Sequence, residues 1–498
     1  MNKKINKNRL VMDTLCWFLF NVSAFAATAA VNADQTKEID ICKNVSESVH
    51  RAASELNKEE SADEEEVPGR NRQIESFTLS NGIPVYYIEN NDNKVDVVSI
   101  VVKGGRGYLK PEQSGLEKTL FKMMACDSSK YGFQKRQQLA YEKRIKIEEK
   151  AMNNATVLSL NCLNYYLDEM IPVLADGFIN PAYHKPVYDY VMSLLRQDVQ
   201  KLQSEPVSIL SYNIQKEAYK NHPYQAFPEP TPESLSNLTI DAMKKWHKTV
   251  LDSRRISIVA VTSMDSEKLL AKLETYFGKI KAQNTDLPEL KSQPFTISGD
   301  PLVLTSSSAA GSGYAVRAFR LPFNSHSDFI TASLAANIFG TTMWNIIRTK
   351  YGACYVADSE FVDGIGFDGC YMISNLKDFT NYVKEAREIM AKGKYVVKIN
   401  DDGSYEFSSV EAVLPGAKNV LINRIYGSTI KTSGRAALYV QALVDYNDIM
   451  AFDSMIKKID TVTAQEVVQV FNKYWVEQPS RWFAVVGPEV IDEVSFEE

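Results

Sequence analysis

Alternating apolar and polar positions predict a β-hairpin where regular structure begins, at residues 77–88. Its two arms flank an Asn81-Gly82 turn, and Asn-Gly between alternating apolar segments is a strong hairpin pattern. Residues 95–102 are rich in β-branched side chains, which favour a second strand. Ser114 then precedes a helical pattern over 115–124, and we expect the Ser114 hydroxyl to cap that helix.

A comparable order of strands and helices is predicted twice along the chain. Further segments fit strands at 157–161, 301–305 and 314–321, and helices at 170–179, at 187–202 and from about Asp328. Residues 238–261 align without gaps with residues 462–485, at an offset of 224. Both copies predict a threonine-capped helix of about four turns, a polar turn and an apolar strand. Chance similarity is the alternative, but each copy closes its own half, which favours an internal duplication.

Composition and charge exclude several classes of protein. The chain has 498 residues, of which 45% are hydrophobic and 24% charged, so collagen-like and wholly disordered classes are excluded. This length fits about three domains or two large ones. The net charge of -6 is concentrated in residues 34–66, which hold 11 acidic and four basic residues. The remainder carries no basic stripe, which argues against nucleic-acid binding.

The N-terminal pattern predicts export. Residues 1–33 combine a basic start, an apolar run over 10–27 and the small-x-small sequence Ala24-Phe25-Ala26, the pattern of a cleaved signal peptide. A membrane anchor is the alternative, but Asp13 and Asn21 interrupt a run that is already short. The acidic residues 34–72 predict a flexible spacer. We therefore expect a periplasmic or secreted protein with no membrane span after signal removal.

The remaining boundaries predict two domains, at 73–283 and 297–498, joined by a polar linker at 284–296. Cleavage of the signal would leave five cysteines at wide spacing, which is not a disulfide framework. Cys354 and Cys370 flank a predicted hairpin, and they are either bridged in an oxidising compartment or, as buried free thiols, unbridged. The chain has five histidines, and no two are closer than 25 residues. This spacing excludes any local His-His zinc motif.

These features resemble the insulinase/pitrilysin family of zinc metallopeptidases. The resemblance covers nearly all of residues 73–490 and includes the opening hairpin, Gly115-Leu116 leading a helix, and the paired helix–strand segments. Its most specific part is the run Arg348-Thr349-Lys350-Tyr351-Gly352-Ala353-Cys354-Tyr355. The resemblance implies an α+β fold of two homologous domains. Each would be a mostly antiparallel sheet with helices on one face, and together they would form a clamshell around a peptide chamber.

In active relatives the helix after Gly-Leu carries H-x-x-E-H, whose histidines bind zinc and whose glutamate activates water. The histidine positions fall on Lys118 and Lys122 here, and the glutamate position falls on Phe121. A further family ligand, a glutamate, falls near Gln197 or Asp198. Protonated lysines repel a dication and offer it no lone pair, so the resemblance implies a degenerate site without metal. The lysines are then either solvated or a cationic patch for acidic groups, and Phe121 is expected to pack.

The second half departs less from the family. Active members use an arginine and a tyrosine seven residues apart to hold the substrate and stabilise charge on the scissile carbonyl, and Arg348 and Tyr355 have this spacing. Guanidinium and phenol groups both donate hydrogen bonds to an oxyanion. Without the resemblance, Arg348 is an ordinary cation at a helix C-terminus and Tyr355 a half-buried strand residue. The resemblance makes this pair the candidate substrate-binding residues.

Three functions remain open at this point. The first is an exported homologue without zinc, inactive alone, acting as the non-catalytic subunit of a heterodimeric peptidase. Its partner would be a paralogue with an intact motif, which would carry the only zinc, and its ligand would be a peptide or unfolded polypeptide. The second is a structural or peptide-binding scaffold with no role in proteolysis. The third is an active zinc peptidase with rearranged ligands, which the scarcity of histidines disfavours.

Overall fold

The computed structural model describes residues 74–283 and 295–496, which lie within the compact unit Arg72–Glu498. The predicted signal peptide (1–33) and the spacer (34–72) lie outside the described residues, as does most of the predicted linker. Across 74–283 and 295–496, no helix is both long and apolar enough to span a bilayer.

The first half is built on a six-stranded sheet. Its strands are β1 (Ile74–Thr78), β2 (Pro84–Glu89), β3 (Val95–Lys103), β4 (Lys146–Ala151), β5 (Ala155–Leu163) and β6 (Ile256–Thr262). They follow the order β1-β2-β6-β3-β5-β4, and only the β2–β6 pair is parallel. Its helices are α1 (Leu116–Cys126), α2 (Phe133–Lys143), α3 (Asn164–Ile179), α4 (Lys185–Ser204), α5 (Pro206–Ala218), α6 (Ile240–Val250) and α7 (Ser266–Phe277). The predicted hairpin is observed, with Phe77 opposite Val85.

The second half contains a five-stranded sheet and a separate two-stranded one. The strands of the larger sheet are β7 (Leu302–Thr305), β8 (Gly313–Arg320), β9 (Cys354–Val362), β10 (Ile365–Ile373) and β13 (Ser480–Val486), and those of the smaller are β11 (Lys394–Ile399) and β12 (Tyr405–Ser409). The larger sheet has the order β7-β13-β8-β10-β9. The helices are α8 (Phe329–Met343), α9 (Phe379–Ala391), α10 (Val410–Thr429), α11 (Thr432–Tyr446), α12 (Ala451–Thr461) and α13 (Ala464–Phe471). π-Helical turns at Trp344–Lys350 and Asn472–Val476 continue α8 and α13.

The predicted repeat is present in three dimensions. Strands β6 and β13 begin and end at an offset of 224 residues, and each is the parallel neighbour of the strand beside it, β2 or β7. The preceding helices begin at the same offset. The hydroxyls of Thr239 and Thr463 cap them by accepting backbone N–H bonds from Ala242 and Glu466. The predicted α+β clamshell of two homologous domains is confirmed.

Each sheet is covered on one face by helices of its own half and on the other by a helix of the opposite half. The second face of the first sheet carries an apolar cluster in which Val101 and Val261 pack with Val440 and Leu443 of α11. Reciprocally, α5 packs on β8 and β13 of the second sheet. These two helices occupy equivalent places in the two halves. The prediction of helices on one face of each sheet therefore holds for the helices of the same half. The other face of each sheet is covered by a helix from the opposite half.

The predicted cap at Ser114 is wrong. The residue before α1 is Gly115, at φ +75°, and no side chain caps this helix. The Ser114 hydroxyl instead donates to the carbonyl of Pro111 at 2.6 Å and accepts the Phe227 N–H at 2.9 Å. A Cβ at Gly115 would lie 2.3 Å from the nitrogen of Pro230. A tertiary contact with the loop at 227–230 thus fixes the start of α1, and only glycine fits there.

Candidate functional site

Helix α1 carries Lys118, Phe121 and Lys122, the three residues that the sequence resemblance predicts at the zinc-motif positions. It packs against β4, α4 and α6, which places its inner face in the core of the first half. Phe121 is fully buried there, and its ring meets Phe178 edge to face with centroids 6.1 Å apart. The side chain in the position of the catalytic glutamate is therefore a core residue without contact to solvent.

Both lysines of α1 are partly buried and paired with carboxylates. The Lys118 and Lys122 side chains are 18% and 24% exposed; Lys118 pairs with Glu229, and Lys122 with Glu149 at 3.0 Å. Burial works to lower the pKa of Lys122, but the adjacent Glu149 carboxylate outweighs it, so this pKa is raised. The lysines are thus neither freely solvated nor an unneutralised cationic patch.

The further predicted ligand position, Gln197 or Asp198, lies on α4, and of these two only Asp198 is a carboxylate. Its carboxylate accepts a hydrogen bond from Lys201 at 3.1 Å, and its charge is among those that raise the pKa of Lys122. The Lys122 ammonium thus pairs with Glu149 and is also within electrostatic reach of Asp198.

The residues present do not fit the zinc ion that the family implies. Two protonated amines and a phenyl ring supply no lone pairs at the motif positions. Within residues 74–283 and 295–496, no group of three or more histidine, cysteine, aspartate or glutamate side chains is placed to hold a metal ion.

A buried carboxylate on α1 that sequence reasoning missed is Glu117. It accepts a hydrogen bond from Trp246 Nε1 at 2.9 Å and lies 3.5 Å from the Arg255 guanidinium. Burial raises the pKa of Glu117, and the charge of Arg255 opposes this rise. These contacts tie α1 to α6 and to the start of β6, so we assign Glu117 a structural role. In the sequence, Glu117 is a single acidic residue beside the motif positions, and nothing there indicates that it is buried.

Arg348 and Tyr355 lie together in the second half. Arg348 is in the π-helical turn after α8, and its guanidinium lies 4.4 Å from the centroid of the Tyr355 ring. Its Nη1 also donates to the backbone carbonyl of Tyr355. The guanidinium also lies 4.6 Å from the centroid of the Trp344 ring. Sequence reasoning missed Trp344, although a residue four positions before Arg348 on a helix lies on the same face.

A second aromatic cluster adjoins this stack. Tyr351 and Tyr382 stack face to face with centroids 3.8 Å apart. Glu385 accepts hydrogen bonds from the hydroxyls of Tyr351 and Tyr405, at 3.0 and 2.7 Å, and pairs with Lys350 at 3.4 Å. This cluster is satisfied internally, since its only carboxylate neutralises its lysine.

The two candidate groups are not brought into contact with each other. No hydrogen bond, ion pair or ring contact among the described residues joins Lys118 or Lys122 to Arg348 or Tyr355. Each group instead lies beside an edge strand: α1 packs on β4, which ends the first sheet, and Tyr355 lies on β9, which ends the second.

Cys354 and Cys370 are both free thiols in the structure. In the β9–β10 pairing, Cys354 lies opposite Ile373 while Cys370 lies opposite Ala357, so the two cysteines are offset by three positions. A hydrogen bond from Cys370 and the nearby Arg348 charge lower the pKa of Cys354.

Comparison with known proteins finds a family match within the chain. The family model described as Peptidase M16 inactive domain matches residues 237–395. This segment of the chain is thus similar in sequence to the inactive domain of the insulinase-family (M16) peptidases. The matched segment starts at the helix–strand unit that closes the first half, and it includes both Arg348 and Tyr355. The resemblance to a homologue with a degenerate zinc motif, stated from the sequence, is confirmed.

Solved structures agree on the fold of this homologue. A protease from Helicobacter pylori superposes with a TM-score of 0.72 at 15% identity, over 83% of this chain and 100% of that one. A peptidase M16 inactive domain from Pseudomonas fluorescens gives 0.70 at 14% identity, over 83% and 98%. A chain of Complex III2 from Candida albicans, with Inz-5 bound, gives 0.67 at 15% identity, over 85% and 98%. No curated protein matches the sequence.

Proposed function

We propose that this homologue is the exported, non-catalytic subunit of a heterodimeric metallopeptidase. The observation that carries the proposal is a contrast between the two halves. The motif positions of α1 are filled by a buried phenylalanine and two paired lysines, whereas Arg348 and Tyr355 remain together at the surface. The chain would work without zinc of its own, and the partner would be a paralogue with an intact H-x-x-E-H helix.

The chemistry of Arg348 and Tyr355 suits a supporting role in peptide hydrolysis. The guanidinium and the phenol both donate hydrogen bonds, and neither requires a metal to do so. Placed against a scissile carbonyl in the partner's site, they would stabilise the negative charge that builds on its oxygen. The free edge of β4 offers main-chain hydrogen bonds to an extended peptide, a mode that tolerates many sequences.

The test is a reconstitution of the full chain with a zinc-motif paralogue from the same organism. We expect the mixture to cleave a quenched fluorescent peptide faster than the paralogue alone. Replacing Arg348 with alanine should reduce kcat by about tenfold or more, because the removed donor acts on the transition state. Arg144→Ala is the matched control, since Arg144 is another exposed arginine beside a tyrosine ring.

Unchanged proteolysis on mixing, or equal rates for the Arg348→Ala and Arg144→Ala complexes, would overturn the proposal. Stoichiometric zinc in the purified chain would overturn its zinc-free part and favour a peptidase with rearranged ligands. Export has a separate test: the intact mass of the protein from the periplasmic or secreted fraction should lack the N-terminal signal.

The second candidate function is a scaffold without a role in proteolysis. It is favoured by the likeness in fold to a chain of Complex III2 from Candida albicans. A scaffold predicts that Arg348→Ala changes no rate, and that the chain purifies from its organism within a larger complex lacking a zinc-motif paralogue.

A further inference from the structure

We propose that Trp344, Arg348 and Tyr355 form a carboxylate-binding clamp, which we call the aromatic clamp. It rests on the proposed function, because the carboxylate would belong to the bound peptide. The inference adds the chemical group that this surface binds, a carboxylate, and it assigns a binding role to Trp344.

The geometry fixes the guanidinium but leaves part of it open. Its centre lies 4.6 Å from the centroid of the Trp344 ring and 4.4 Å from that of the Tyr355 ring, so two cation–π contacts hold it. One nitrogen, Nη1, donates to the carbonyl of Tyr355. Among the described residues, Arg348 has no ion pair and no other hydrogen bond, which leaves Nε and Nη2 available as donors. A planar guanidinium binds a carboxylate through such a pair of N–H groups.

The absence of a carboxylate beside Arg348, within the described part of the chain, contrasts with its neighbours. Lys350 pairs with Glu385 at 3.4 Å, and the two lysines of α1 each have a glutamate partner. The positive charge of Arg348 is therefore not neutralised locally. It attracts an anion, and the attraction should weaken with added salt because the site is open to solvent.

The clamp is accessible to a ligand. Trp344 is 38% exposed and Tyr355 is 59% exposed, so a ligand in solvent can reach both rings. Their rings reduce contact between the guanidinium and water without closing it off. A stacked, partly desolvated arginine that is already oriented loses less conformational entropy on binding than a free one.

A peptide can supply this carboxylate from an aspartate or glutamate side chain or from its C-terminus. Three labelled peptides of one extended sequence separate these sources. The first has one glutamate and an amidated C-terminus, the second has glutamine there and a free C-terminus, and the third has glutamine and an amidated C-terminus.

Binding is measured by fluorescence anisotropy with the full chain. We expect the first or the second peptide to bind at least about tenfold more tightly than the third, equivalent to about 1.4 kcal/mol. Arg348→Gln should abolish this preference, and Arg348→Lys should restore only part of it because lysine keeps the charge but loses the planar donors. Trp344→Leu should reduce it. Arg144→Gln, which alters an arginine over a single tyrosine ring at 5.8 Å, should leave it intact.

The outcomes separate this inference from the proposed function. Equal binding of all three peptides, or a preference that survives Arg348→Gln, overturns the clamp while peptide binding stands. Absence of binding by every peptide overturns both. Tyr355→Phe gives a further distinction, because it keeps the ring and backbone carbonyl of the clamp but removes the phenol that the proposed peptidase chemistry requires. It should therefore retain the carboxylate preference and slow the reconstituted enzyme.

Discussion

Replacing Phe121 with glutamate would place a carboxylate at the position that the sequence resemblance predicts for a catalytic glutamate, and we predict that it unfolds the first half. Phe121 is fully buried and packs against Phe178. Removing a buried phenylalanine ring costs about 3–5 kcal/mol. Leaving an unpaired carboxylate in its place costs several kcal/mol more, or forces that group to remain protonated. The sum is comparable to the whole stability of a typical protein, about 5–15 kcal/mol.

The assay is urea unfolding followed by circular dichroism, comparing Phe121→Glu with Phe121→Leu. Leucine stays apolar but is smaller and differently shaped, so we expect it to cost about 1–2 kcal/mol. The glutamate variant should be largely unfolded without denaturant, or lose at least about 5 kcal/mol. If Phe121→Glu is within about 1 kcal/mol of the wild type, this position is not the core position described here. The account of a zinc face converted to packing would then be refuted.

Three further predictions concern the surroundings of these sites. Gly115→Ala should destabilise the chain by at least about 2 kcal/mol, because its φ is +75° and the new Cβ would meet Pro230 at 2.3 Å; a thermal shift below about 2 °C would contradict this. Lys122→Met should lower the free energy of unfolding by about 1–3 kcal/mol, because it leaves the Glu149 carboxylate, which is 10% exposed, unpaired. In urea unfolding, the double variant with Glu149→Leu should recover part of this loss. Strict additivity of the two single changes would argue against the Lys122–Glu149 pair. Burial raises the pKa of Asp358, on β9, to about 6, so ionisation of this carboxyl lowers the stability of the folded chain as the pH rises from about 4 to 6. Asp358→Asn should therefore stabilise the chain by about 1–3 kcal/mol at pH 7 and by little at pH 4. Equal gains at the two pH values would refute this.

Local patterns determined how much of the fold was predictable. The hairpin, strand β3 and the two threonine-capped helices follow from alternation, helical period and capping residues within a few positions of each other. The predicted cap at Ser114 was wrong because the Ser114 hydroxyl accepts a hydrogen bond from the backbone N–H of Phe227, 113 residues away in sequence. No local sequence pattern indicates such a contact. The capping rule describes what serine does when nothing distant competes for its hydroxyl.

The candidate site was predictable in identity but not in environment. Placing Lys118, Phe121 and Lys122 in the motif positions required only the sequence, and so did the spacing of Arg348 and Tyr355. The carboxylates that neutralise the lysines lie 111 and 27 residues away. Nothing in a single sequence links residues so far apart. The difference between a paired lysine and an unpaired arginine, on which the carboxylate clamp depends, therefore emerges only in three dimensions.

The exchange of α5 and α11 between the halves has a consequence for biosynthesis. Helix α11 begins 170 residues after β6 completes the first sheet. At about 5–20 residues per second, the ribosome needs about 10–30 s to deliver it. Until then the apolar face that includes Val101 and Val261 is uncovered, and such a face is prone to aggregation. The sheet of the nascent first half therefore lacks the cover of this face until α11 has been synthesised.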